Sequence, residues 1–117
     1  MNVPEPRPLV VYVDIDDTLI RSFGSKQIPI TSAIDSVRAL CGEPDVVDYC
    51  WSSGGADYAR GVCKRLGIAE LFIAFLPKPN VMVDDQVPAE WRTMVVVYPN
   101  EMTGLDAAGA RARLGWR

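Results

Sequence analysis

The sequence predicts an α/β fold: a doubly wound, Rossmann-like parallel sheet of about five strands, helices on both faces, and no cap domain. Three observations predict it. Apolar, β-branched runs alternate with helix-period segments along the chain, the pattern of strands joined by crossover helices. The first run, residues 9–13 (LVVYV), is apolar without interruption, as a strand buried on both faces is. Polar clusters follow three of the runs, where a parallel sheet gathers its ligand groups.

The elements follow in order. The 117 residues suit one domain, 1–117. Residues 1–7, with Pro4 and Pro6, read as an extended lead-in to the first strand. That strand gives way to Asp14-Ile15-Asp16-Asp17-Thr18, then to a loop containing Gly24 and Pro29. Thr31 and Ser32 can cap a helix that carries Ile34, Val37, Leu40 and Cys41 on one face and stops at Gly42 and Pro44. Residues 46–51 form a second strand, broken abruptly by Ser52-Ser53-Gly54-Gly55. A helix from about Ala56 to Leu66 turns Ala59, Val62, Cys63 and Leu66 inward, with Gly67 as its stop. Residues 70–76 are a third apolar run, 81–83 a short fourth strand ending in Asp84-Asp85, and 94–98 a fifth. Residues 105–114 close the chain as a helix.

Composition narrows the chemistry. There is no histidine, which removes Ser-His and Cys-His nucleophilic pairs and histidine-ligated metals. Proton transfer near neutral pH then falls to carboxylates and lysines. The net charge is -3 and no basic run suggests a nucleic-acid surface; Arg111, Arg113 and Arg117 read as a solvated helix face. Cys41, Cys50 and Cys63 are odd in number and lack CxxC spacing, which points to a reducing compartment. No apolar stretch is long enough for a membrane span, and prolines occupy the start of the chain. A cytoplasmic protein is expected.

Asp14 and Asp16 stand two apart where a strand ends, so both carboxylates can approach one ligand. Adding Asp84 and Asp85 puts several carboxylates near one point, an arrangement that a hard divalent cation such as Mg2+ neutralises. A carboxylate beside such a cation is a usable nucleophile toward phosphorus. Ser52, with Ser53 beside it, opens a helix and can donate to phosphate oxygens, and Lys78 supplies positive charge for a transferring group. Taken singly, each feature also fits a turn, a helix cap or a surface loop. An EF-hand loop beginning at Asp14 fits poorly, because Leu19 and Ser25 hold the positions that need Gly and Glu.

These segments resemble the motifs of the haloacid dehalogenase (HAD) superfamily. VYVDIDDTLI (residues 11–20) is similar to its first motif, WSSGG (51–55) to its second, and KPNVMVDD (78–85) to its third and fourth run closely together. The resemblance implies Asp14 as the nucleophile that becomes phosphorylated and Asp16 as general acid, then base. It further implies Thr18 as orienting the loop, and Ser52 and Lys78 as holding the phosphoryl oxygens. Mg2+ would be held by Asp14, Asp84 and the main-chain carbonyl of Asp16, with Asp85 assisting. By the same resemblance, the presence of Asp16 implies a phosphatase or phosphotransferase and argues against dehalogenase chemistry. The sequence departs from many members in having Asp17 before Thr18 and a short interval from Lys78 to Asp84, which leaves Lys64 as a substitute lysine.

The short intervals between motifs resemble the capless members, whose open site implies a bulky, phosphorylated macromolecular substrate or a neighbouring subunit of a homo-oligomer as cover. Two other readings remain at this stage. One is a non-catalytic binding protein on the same fold. The other is a receiver-type phospho-acceptor, which is disfavoured because its Asp would have to follow the third strand, where Leu76-Pro77 stand. Asp48, in the middle of an apolar strand, has no account from sequence.

Overall fold

In the computed structural model, residues 7–116 are described; the lead-in at 1–6 and Arg117 lie outside them. The elements run β1 (Leu9–Val13), β2 (Ile20–Phe23), β3 (Lys26–Pro29), α1 (Thr31–Cys41), β4 (Val46–Ser52), α2 (Ala56–Leu66), β5 (Ala74–Pro77) and α3 (Ala107–Arg113). Short 3-10 turns occupy Ala69–Leu71, Pro88–Glu90 and Pro99–Glu101. The result is an α/β fold with two small sheets.

The larger sheet is parallel, in the order β1-β4-β5. Its register sets Tyr12 beside Tyr49, Val13 beside Cys50, and Cys50 beside Phe75. Because side chains alternate across a strand, Leu9, Val11, Val13, Val46, Cys50 and Phe75 share one face. That face meets α1 and α2 through Ile34, Val37, Ala59, Val62 and Cys63, and meets α3 through Ala107 and Ala110. Ile15 and Leu19, both 0% exposed, complete the core where the chain leaves β1. Truncating either to alanine costs about 2–5 kcal/mol in a site this well filled.

This is coarser than the expected fold in three respects. Among the described residues the parallel sheet has three strands, not five. Val81 and Val83 are 81% and 97% exposed and belong to no strand, and residues 94–98 are likewise unpaired. Both segments have the composition of strands, yet a strand is stable only beside a partner, and composition does not supply one. Finally, the described helices pack on a single face, and the opposite face, carrying Val10, Tyr12, Tyr49 and Trp51, has no helix over it.

The smaller sheet is an antiparallel hairpin of β2 and β3 where a loop was expected. Phe23 pairs with Lys26 across a two-residue turn, and Gly24 takes φ +61°, the left-handed conformation such turns require. Of the two helix stops, one differs from expectation. Gly67 ends α2 at φ +72° as its position suggests, whereas Gly42 stays right-handed after α1 and Asp45 takes the positive φ instead. Thr31 is the first residue of α1, not its cap, since Ile30 occupies that place without a side-chain bond.

Candidate functional site

The carboxyl ends of β1, β4 and β5 converge on Asp14. After β1 the chain folds back at once: the amides of Thr18, Leu19 and Ile20 all point to the carbonyl of Ile15. Asp17 makes this possible by adopting φ +62°, a conformation that Asp tolerates better than most side chains. The turn carries the Thr18 hydroxyl to Asp14, donating to Oδ2 at 3.1 Å. Buried Ile15 and Leu19 anchor the turn from below.

Lys78 arrives from the end of β5. Its main-chain N–H donates to the carbonyl of Ser52 at 2.9 Å, so β4 and β5 remain in register one residue past the ladder. Its ammonium stands 3.1 Å from Asp14 Oδ1, with both side chains about one-third exposed. An ion pair this open contributes little to stability, but it fixes where positive charge sits. Of the two lysines considered, the one against Asp14 is Lys78; Lys64 lies exposed in the last turn of α2.

Ser52 is 1% exposed, and its hydroxyl accepts a bond from the amide of Gly54 at 3.0 Å. It shapes the turn into α2 more than it faces solvent, while Ser53 is exposed. Asp16 is bonded to α2. Its Oδ1 accepts from the phenol of Tyr58 in α2 at 2.7 Å. Gln27 of the hairpin donates to the same phenol at 3.0 Å, and Arg65 donates to Gln27 Oε1 at 2.6 Å. Burial, and then the bond to Asp16, raise the Tyr58 phenol above its usual range, so near neutral pH it remains a donor.

Tyr58, Gln27 and Gly54 were not singled out by sequence reasoning. A Cβ on Gly54 would meet the Tyr58 ring at 2.8 Å, too close without displacement. The available signal was a tyrosine in the first turn of a helix that opens with Gly-Gly, a place where its polar tip can reach the strand ends.

Asp84 and Asp85 lie on the exposed stretch after β5. Asp84 accepts from the Gln86 amide at 3.0 Å in a local turn, and neither aspartate is bonded to the Asp14 group. Among the described residues no group of three or more Asp, Glu, Cys or His side chains could hold a metal ion. With Asp14 engaged by Lys78 and Thr18 and Asp16 by Tyr58, a divalent cation does not fit the donors as they are arranged here. Two shallow concavities lie along the hairpin and between Asp17, Ser32 and Tyr98, and Asp14 lines neither. Asp14 follows β1, the edge strand of the described sheet, and its side chain is partly exposed.

Among the described residues no helix is long and apolar enough to cross a membrane. Comparison with protein-family models, with curated proteins and with solved structures finds no match.

Proposed function

We propose that this chain is a phosphomonoester hydrolase of the HAD type, working through an aspartyl-phosphate on Asp14. The observation that carries this reading is the treatment of one carboxylate at a strand end. Asp14 is left partly open to solvent, oriented by the Thr18 hydroxyl and paired with the Lys78 ammonium. A partly exposed Asp–Lys pair is common in itself; what supports the reading is its place at the carboxyl ends of parallel strands, where such sheets gather ligand groups.

An Asp14 oxygen attacks phosphorus, the P–O bond to the leaving group breaks, and Asp16 gives its proton to the departing oxygen. Water then attacks the phospho-aspartate, Asp16 takes the proton, and inorganic phosphate leaves with Asp14 restored. Lys78 offsets the charge of the phosphoryl oxygens in both steps.

The Mg2+ requirement rests on the sequence pattern, and the same reading carries the five-stranded sheet. Residues 81–83 laid along the open edge of β1 would bring Asp84 and Asp85 toward Asp14. A bulky phosphorylated substrate in the cytoplasm, or a second subunit covering the open edge, belongs to this reading as well.

Phosphate release from an aryl phosphate, with and without Mg2+, tests it. Wild type is expected to show Mg2+-dependent release, and Asp14→Asn to lose on the order of 10^4-fold or more, toward the scale of removing a nucleophile. Equal release by both proteins would sink the proposal. A second reading, a non-catalytic binding protein, draws on the unassembled metal donors; Mg2+ binding without any turnover would favour it.

A further inference from the structure

The alternation of β1 and β4 sets an aromatic row beside Asp14. Tyr12, two residues before Asp14, projects from the face of the sheet that none of the described helices covers. Tyr49 and Trp51 project from that face of β4, with Tyr49 in register with Tyr12. Trp51 lies one residue past the last β1–β4 pair, Val13 with Cys50, at the end of β4. The rings form a connected cluster: Tyr12 lies 5.2 Å from Tyr49 and 4.9 Å from Trp51, the latter edge to face. Lys78 joins the cluster to the site. Its ammonium is 3.1 Å from Asp14 Oδ1 and 5.8 Å from the Trp51 ring centre.

The cluster is partly uncovered, with Tyr12 46% exposed. Three aromatic rings left at a strand end beside a lone lysine make a surface with two chemistries, a cation for an anion and π faces for a flat ring. We propose that this face seats a planar aromatic ring carried by the phosphorylated group, which makes aromatic phosphomonoesters the substrate class. The inference rests on the hydrolase reading for its chemistry but not for its binding. The ring lies against Tyr12 and Trp51 while the phosphate meets Lys78. Aryl side chains of proteins and nucleobases both offer such a ring, and the recognition named here is common to both.

A matched pair of ligands separates aromatic recognition from simple apolar burial. Benzyl and cyclohexylmethyl phosphates have similar leaving groups and similar size, but the saturated ring is the more hydrophobic. Calorimetry with the non-hydrolysable benzyl- and cyclohexylmethylphosphonates is expected to show the benzyl compound binding about five- to tenfold tighter, the scale of an aromatic pair. Tyr12→Leu is expected to reduce that ratio to near one, and Tyr12→Phe to restore it. Equal binding, or tighter binding of the saturated compound, overturns the inference. So does a wild-type dimer in sedimentation that Tyr12→Leu converts to monomer, since a second copy would then occupy the face. If benzylphosphonate binds selectively while benzyl phosphate is not turned over, the hydrolase reading fails and the aromatic site stands. If both phosphate esters are turned over at equal kcat/KM and both phosphonates bind alike, the reverse holds. Phosphotyrosine peptides and nucleoside monophosphates, run in parallel, tell the two ring sources apart.

Discussion

Asp48 carries a carboxylate into the core. It is 3% exposed on the helix-covered face of β4, and its Oδ2 has no hydrogen-bond partner. Burial raises its pKa, although hydrogen bonding from Cys41 partly opposes the shift. Cys41 in turn is pushed up to about 12, first by burial and then by Asp48. The sign of the linkage is fixed by the direction of the Asp48 shift. A carboxyl whose folded pKa lies above its unfolded value favours folding fully only below the unfolded value, and that contribution disappears as pH rises through the folded pKa. Asp48→Asn removes the ionisation while keeping the shape. Urea denaturation at pH 7 is expected to show the variant more stable by about 1–2 kcal/mol, the scale of an unsatisfied buried group. The advantage should shrink toward pH 4. A variant less stable than wild type at pH 7 would mean that the Asp48 charge is compensated in the core. No periodicity announces any of this: the sequence places Asp48 inside a strand, but only the packing of helices on one face shows that it points inward.

At the scale of elements, what was legible divides cleanly by the kind of signal. β1, α1, β4 and α2 are set by local pattern: continuous apolar runs for the strands, apolar spacing of three and four for the helices, and Gly67 as a stop. The β2–β3 hairpin left no such trace, because most of its residues are exposed and no apolar alternation marks it. Yet the hairpin delivers Gln27 to Tyr58 and so helps hold Asp16. The site was legible to the same extent. Asp14, Thr18 and Lys78 come together because β1 and β5 end at the same edge of one parallel sheet, on either side of β4, whereas the Tyr58 contact joins positions 42 apart, which no local pattern can reveal. Gly54→Ala tests whether that contact matters. The added methyl must push the Tyr58 ring from its place, releasing Asp16. Phosphate release is expected to fall about tenfold, near what one hydrogen bond to a charged group is worth when partly exposed. Tyr58→Phe, which leaves the ring in place, should fall as far. Full activity in both would show that Tyr58 braces the turn without serving Asp16.

For the molecule as a whole, the unfinished region is the long stretch after β5. β1 is an edge strand in the described sheet, although its uninterrupted apolar sequence suits a strand with neighbours on both sides. Residues 81–83 and 94–98 hold apolar side chains with large exposure, including Val81, Val83 and Val96. An open edge and unpaired β-prone segments in one chain carry complementary needs: the edge has free N–H and C=O groups, and the segments have nothing to pair with. The acidic pair Asp84-Asp85 lies within the same stretch, so charge repulsion near Asp14 opposes the pairing that apolar burial favours. A divalent cation would tip that balance, because a ligand that binds only the assembled form stabilises it by mass action. Hydrogen exchange measures the outcome residue by residue. Without metal, the amides of β4, flanked by β1 and β5, are expected to exchange slowly, and those of 81–85 within seconds. Millimolar Mg2+ is expected to slow 81–85 and the free amides of β1 together by at least tenfold, with Asp84→Asn abolishing the effect. Slowing confined to 81–85, with β1 unchanged, would show that metal orders the acidic stretch without adding it to the sheet. No slowing anywhere would leave Asp14 and Lys78 to work on an open three-stranded edge.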